Sequence, residues 1–349
     1  MNSALIQLIR DAFEGSATDV FIIEGEPLRI RREGEVITLH PGPVTRDAME
    51  QFWHSCGIDP ATHPEADISW RIPHGGRLRV NLYHTLGRLA AAMRPIRNEI
   101  PSLNELGLPA DLLESWMRRR YGLILVTGPT GSGKSTTVAS CLDWINRNLA
   151  RHVVTLEDPI EYLFENEVAF FSQREIRQDS ESFATGLRAA LRQSPDVIFL
   201  GEIRDPETAL TALHAAETGH LVISTLHSSN VVETLDRFSH LLKSESSGAL
   251  SLLAAQLVGI LSQQLLPRVG GGLIPALEYL QNEAGTRRWI LDHKLPELQD
   301  HLQKSTGGVN CSLLNYVVAA VRQGFIDAET ARSACPRPQD FDRAMRGIS

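Results

Sequence analysis

The run LILVTGPTGSGKSTTVAS, Leu123–Ser140, constrains the fold of this chain more than any other stretch. A β-branched apolar segment stops at a glycine-rich turn, and the residues after that turn have helix-forming character. Residues Gly128–Ser135 satisfy G-x-x-x-x-G-K-[ST] at every fixed position. Such a loop works between a strand and a helix: its glycines let backbone N–H groups close round a phosphate, and the helix N-terminus adds positive potential. An α/β unit that holds a nucleoside triphosphate is therefore expected. Lys134 would reach the β- and γ-phosphates, and the Ser135 hydroxyl would ligate Mg²⁺. The candidate nucleotide-binding residues are Gly128, Pro129, Thr130, Gly131, Ser132, Gly133, Lys134, Ser135 and Thr136.

Four apolar runs share one grammar: GLILVTG, HVVTLED, DVIFLGE and HLVISTLH. They lack period-two alternation, are rich in β-branched residues, and each ends in polar chemistry. Helical stretches such as Phe183–Gln193 and Glu207–Gly219 lie between most of them. Strands buried on both faces and separated by helices predict a parallel sheet covered on two sides. Ligands of such sheets collect at the carboxyl ends of the strands, where these polar residues lie.

Residues 1 to about 95 read differently. DVFIIEGEPLRIRREGEVITL predicts strand, turn, strand, a tight turn at Arg32–Glu35, and a third strand. The expected organisation is a small α+β domain over 1–98, a Pro- and Gly-interrupted linker over 99–115, and an α/β domain over 116–349 that turns mostly helical after Val231.

A length of 349 residues allows two domains with cores of their own. The net charge of -8 argues against nucleic-acid binding, which needs clustered basic charge. The basic cluster WMRRRYG suits a helix C-terminus. The four cysteines are far apart and read as free thiols in a reducing compartment. The N-terminus lacks a signal-peptide pattern. The greasiest run, Leu250–Pro267, is interrupted by Gln256, Ser262, Gln263 and Gln264, so no direct membrane insertion is expected. A cytoplasmic location follows from these readings.

The strand ends supply the candidate catalytic groups. Glu202 closes the apolar run Val197–Leu200 and would hold Mg²⁺, directly or through water, opposite Ser135. Glu157, Asp158 and Glu161 crowd after another strand, an arrangement that calls for a cation or a chemical task such as orienting water. His220 and His227 lie at opposite ends of one strand. On spacing alone, His227 is either a sensor of the γ-phosphate or a structural histidine.

Four blocks in order, GPTGSGKSTT, TLEDPIEY, LRAALRQSPDVIFLGEIRDPETALTALHAAETGHL and STLHSSN, resemble the Walker A, Asp box, Walker B and His box of the type II/IV secretion ATPase superfamily. Within it they look most like the type IV pilus retraction ATPases. The resemblance covers most of the chain. It implies a RecA-like P-loop core with a PAS-like N-terminal domain, ATP and Mg²⁺ as ligands, and homohexameric rings. It further implies work on an inner-membrane platform protein at the inner face of the cytoplasmic membrane. By motif match, Glu161 becomes the general base, Glu202 the Walker B acid, and His227 and His220 active-site histidines. Arg79 in RLRVNLY and Arg94 in MRPIR match the arginines that complete the site from the N-terminal domain. One departure stands out. Where retraction ATPases carry an AIRNLIRE-like motif, this chain reads AGTRRWILDHKLPEL, Ala284–Leu298.

Overall fold

The structure is a computed structural model that describes residues 4–73, 76–96, 99–242 and 248–347. The chain divides into two compact units: Met1–Asn98 with Asp158–Leu163, and Glu99–Glu157 with Phe164–Ser349.

The first unit runs α1 (Ala4–Glu14), β1 (Asp19–Ile23), β2 (Pro27–Arg32), β3 (Glu35–Pro43), α2 (Arg46–Ser55), β4 (Glu65–Arg71), β5 (Arg77–Thr85) and β6 (Arg88–Pro95). The strands form one antiparallel sheet in the order β3-β2-β1-β6-β5-β4. Alternation along them buries Val20 and Ile22, Leu28 and Ile30, and Leu78, Val80 and Leu82, all in one core with Ile9 of α1 and Met49, Phe52 and Trp53 of α2. The β2–β3 turn expected at Arg32–Glu35 is present, with Glu33 and Gly34 at φ 52° and 87°. Positive φ at both central residues is what a two-residue hairpin needs to match strand twist.

The second unit continues with α3 (Ala110–Met117), β7 (Gly122–Thr127), α4 (Lys134–Asn148), β8 (His152–Glu157), β9 (Phe170–Glu175), α5 (Phe183–Ala190), β10 (Val197–Leu200), α6 (Pro206–Glu217), β11 (Leu221–Leu226), α7 (Val231–Leu242) and α8 (Ala249–Gln256). After these come β12 (Leu257–Pro267), β13 (Leu273–Gln281), α9 (Ala284–Leu291), α10 (Leu295–Lys304), β14 (Thr306–Gly307), β15 (Asn310–Cys311), α11 (Leu313–Arg322), α12 (Ala328–Ala334) and α13 (Pro338–Met345). Among the described residues its sheet has the order β14-β15-β13-β12-β7-β11-β10-β8-β9. From β12 to β9 neighbouring strands are parallel. The runs GLILVTG, HVVTLED, DVIFLGE and HLVISTLH form β7, β8, β10 and β11, and β7, β10 and β11 are buried along their whole length. Each fully buried Leu, Ile or Val side chain contributes about 1.5–3 kcal/mol.

Two expectations need correction. The stretch 99–115 is not a free linker: Leu103, Leu108, Leu112 and Leu113 are buried in the core of the second unit beside Trp116. Prolines and glycines break its periodicity, so its core leucines leave no pattern to read. The chain beyond Val231 is also less helical than expected, because β12 and β13 run through it as an antiparallel pair. Gln256 ends α8, and the apolar residues after it pair with β7. A short apolar run suits either state, and here the open edge of β7 decides. Gly259 has a packing reason, since a Cβ there would sit 2.3 Å from the Trp116 ring.

Candidate active site

Gly128 follows the last residue of β7, and the loop feeds directly into α4, whose N-cap is Gly133. Gly128, Gly131 and Gly133 have φ of 149°, 80° and 85°, a region that side-chain-bearing residues rarely occupy. A Cβ on Gly128 would also meet the Gln263 carbonyl oxygen at 2.2 Å and Ser132 Oγ at 2.5 Å. The Lys134 ammonium donates to the carbonyls of Gly128 at 2.8 Å and Pro129 at 2.9 Å, closing the loop on itself. Ser135 and Thr136 occupy the first turn of α4.

Strand register brings two more groups to the same sheet edge. β11 lies beside β7 with Leu226 opposite Thr127, and β10 lies beside β11 with Leu200 opposite Ser224. His227 and Glu202 therefore emerge next to the loop that follows β7. Glu202 Oε2 is 3.6 Å from His227 Nε2, and its other oxygen is paired with Arg204. Burial, with the Lys134 ammonium next, pushes the His227 imidazole below its ordinary pKa, while Glu202 pulls the other way. Arg237 of α7 donates to the His227 carbonyl at 2.7 Å and holds that segment down.

Gln263 on β12 is a site residue that in the sequence alone is only an interruption of an apolar run. It is 3% exposed and lies one position past Ser262, the partner of Thr127. Its Nε2 donates to the Ser132 carbonyl at 2.6 Å, and its Oε1 accepts from Thr137 Oγ1 at 2.8 Å. One amide thus braces both the glycine-rich loop and the first turns of α4. The polar interruption Ser262–Gln264 in an otherwise apolar run was the available signal. Gln263→Leu removes both bonds and leaves the Thr137 hydroxyl and the Ser132 carbonyl without this partner. We expect a loss of about 1–3 kcal/mol in stability and a parallel weakening of nucleotide binding, read by thermal unfolding and by titration with a fluorescent nucleotide. Unchanged affinity would show that the brace does not shape the loop.

His220 is not part of this cluster. It precedes Leu221 at the start of β11, and its Nδ1 lies 2.9 Å from the Ala215 carbonyl. The loop lies beyond the other end of that six-residue strand, about 20 Å away at about 3.3 Å per residue. Within its own chain, His220 lies at the opposite edge of the sheet from the loop.

The remaining candidates belong to the first unit. Arg79 of β5 and Arg94 of β6 are register partners, so they share one face of the sheet. Each has an acid partner there: Arg79 Nη2 is 2.7 Å from Asp67 Oδ2, and Arg94 Nη2 is 2.7 Å from Asp19 Oδ1. The hydrogen bonds that Arg79 donates to Asp67 raise its pKa, and Glu161 and Asp158 add to the effect. Glu161 is exposed in the segment Asp158–Leu163, which clusters with this unit. Glu157 differs from its neighbours: it is buried and accepts from Thr155 Oγ1 at 2.7 Å.

The second unit's site suits a nucleotide phosphate and a hard cation on two observations. A Cβ on Gly128 would collide with the Gln263 carbonyl and Ser132 Oγ, so only glycine lets the loop backbone follow its tight course, and among the described residues Glu202 Oε2 is a buried acceptor without a hydrogen-bond donor. The fold and this edge define a P-loop α/β protein, with the loop after β7 and an acid after β10. The chain belongs to the type II/IV secretion system protein family, whose model matches residues 2–271. It is 33% identical to the type IV pilus retraction ATPase PilT of Pseudomonas aeruginosa over 97% of this chain and 99% of that one. It is 32% identical to the type IV pilus ATPase PilU of the same organism, over 86% of this chain and 80% of the relative. A crystal structure of the pilus retraction motor PilT with bound ADP superposes with a TM-score of 0.89 at 38% identity, covering 98% of this chain and all of that one. Among the described residues no helix is long and apolar enough to cross a membrane.

Proposed function

We propose that this chain is a motor ATPase that hydrolyses ATP in homohexameric rings and drives type IV pilus retraction, and so twitching motility, through an inner-membrane platform protein. The observation that carries this reading is the sheet edge that sets Lys134, Glu202 and His227 together, in a chain matched over almost its whole length by a retraction ATPase. Lys134 binds the β- and γ-phosphates, and the backbone of 128–136 cradles them. Ser135 and Glu202 hold Mg²⁺, Glu202 directly or through water. When bound, that ion neutralises charge developing on the phosphate oxygens. Glu161 takes the proton of the attacking water, and His227, held neutral by burial, reads the γ-phosphate.

Arg79 and Arg94 complete the site from the N-terminal domain, and loss of the γ-phosphate releases them. Their acid partners Asp67 and Asp19 hold them on one sheet face in the meantime. Arg79→Ala and Arg94→Ala should each lower turnover about ten- to a hundredfold, the worth of one charge-assisted hydrogen bond, with little change in ATP affinity. Equal losses in both quantities would remove the arginines from the transition state.

The function is tested in Pseudomonas aeruginosa lacking its own PilT. Restored twitching supports the retraction motor. Intact ATPase and hexamers without twitching would move the chain to an accessory role like that of PilU or to a related secretion or assembly machine. The altered segment Ala284–Leu298 favours keeping that second reading. It spans α9 and the start of α10, with Ile290 and Leu298 buried and Leu291 exposed.

A further inference from the structure

Glu278 sits on β13 opposite Ser262 of β12, and no step of the proposed ATPase mechanism uses it. Its Oε1 accepts from the backbone N–H of Val231 at 2.8 Å, and its Oε2 accepts from the backbone N–H of Leu313 at 3.3 Å. Those are the first residues of α7 and α11. First-turn N–H groups have no partner inside their own helix, and a carboxylate suits the positive end of the dipole. A single side chain therefore holds two helix starts at once. Burial pushes the Glu278 carboxyl above its ordinary pKa, and the two amides pull it back.

Each helix leads somewhere different. α11 belongs to a cluster with Val317, Val318, Ala331 and Phe341 that also packs on Leu266 of β12 and Ala276 of β13. α7 leads to the nucleotide site by three contacts. Arg237 holds the His227 carbonyl at 2.7 Å. Thr234 Oγ1 lies 2.7 Å from Ser228 Oγ, next to His227. The same oxygen lies 3.2 Å from Thr127 Oγ1, at the root of the phosphate-binding loop. Thr127 and Thr234 are fully buried and Ser228 is 3% exposed, so this hydroxyl cluster is shielded from water. The starts of α7 and α11 line one cavity of about 200 Å³ with Ser229, Asn230, Ser312 and Arg337.

We infer that Glu278 is a positioning residue that ties the C-terminal helical layer to α7, and through α7 sets the His227 segment and the root of the phosphate-binding loop. The inference rests on the ATPase reading of that loop. A displacement of α11 then reaches His227 through one carboxylate, and a change at His227 reaches α11 by the same tie, because coupling between sites is reciprocal. If Glu278 were only a helix cap, cutting either of its bonds would lower stability without touching turnover.

The test cuts the tie from both ends. Glu278→Gln keeps the shape but leaves one acceptor where two are needed. Leu313→Pro removes the donor on α11, at a first helical position where proline is favoured and after a residue already extended at ψ 154°, and Leu313→Ala, which keeps the N–H but loses the same apolar packing, is the control for the lost side chain. In each full-length variant, active sites are counted by stoichiometric binding of a fluorescent ATP analogue, and turnover is expressed per site beside Kd and unfolding temperature. Turnover per site should fall about tenfold in both variants while Kd stays within about twofold of wild type. Wild-type turnover per site in either variant would overturn the inference, as would turnover and affinity falling together. A wild-type protein that binds analogue without hydrolysing ATP would instead sink the ATPase reading, and the tie to turnover with it.

Discussion

Lys134→Ala should abolish measurable ATP turnover and weaken nucleotide binding by about a thousandfold, because it removes the only charged partner the loop itself offers to a phosphate and leaves that charge poorly compensated. The geometry adds a second loss. The ammonium donates to the Gly128 and Pro129 carbonyls, so alanine also frees the loop from its own lysine. Lys134→Arg separates the two effects: it keeps the charge, but a planar guanidinium cannot enter the same buried space. Isothermal titration with ATP and a coupled phosphate assay read both quantities. Turnover above a tenth of wild type in Lys134→Ala would mean that the phosphate is held elsewhere.

Glu161→Gln should keep ATP binding and lose turnover by about a hundred- to ten-thousandfold, the usual worth of a positioned general base. Glutamine has the same shape and keeps one acceptor oxygen, but cannot take the proton from water. Glu161 is exposed, and the nearby Arg79 is among the groups it supports electrostatically, so the substitution disturbs no core. Glu157 provides the internal contrast. It ends β8, four residues before Glu161, and it is buried and bonded to Thr155, so Glu157→Gln should affect stability more than the chemical step. A Glu161→Gln protein hydrolysing ATP at the wild-type rate would be incompatible with the assigned base.

Much of the candidate nucleotide site was legible because its information is local. The motif at 128–135 depends on residue types at consecutive positions, and β7, β10 and β11 announce themselves by unbroken apolar runs ending in polar groups. The first unit's hairpins were legible for a similar reason, since alternation and a turn such as Glu33–Gly34 are properties of neighbouring residues.

What escaped depends on partners far along the chain. Gln263 looked like a flaw in a greasy run, and it matters only because β12 pairs with β7 and carries its amide to Ser132, 131 positions away. The leucines of 99–115 looked like linker residues because the elements that bury them, β7 and α4 among them, lie downstream. Glu278 is one acid in an apolar strand until two helix starts converge on it.

The sequence by itself determined the class of the core, the glycine-rich loop between β7 and α4, and the strands whose ends carry Glu202 and His227. These follow from short-range periodicity and backbone permissiveness. Only the tertiary structure decided which strand lies beside which, and hence that His227 reaches Glu202 while His220 does not, and that a glutamine and a glutamate from the β12–β13 pair brace the site. Side-chain hydrogen bonds act over about 3 Å. Whether two residues come that close is set by sheet register and helix packing, which no local run of residues records.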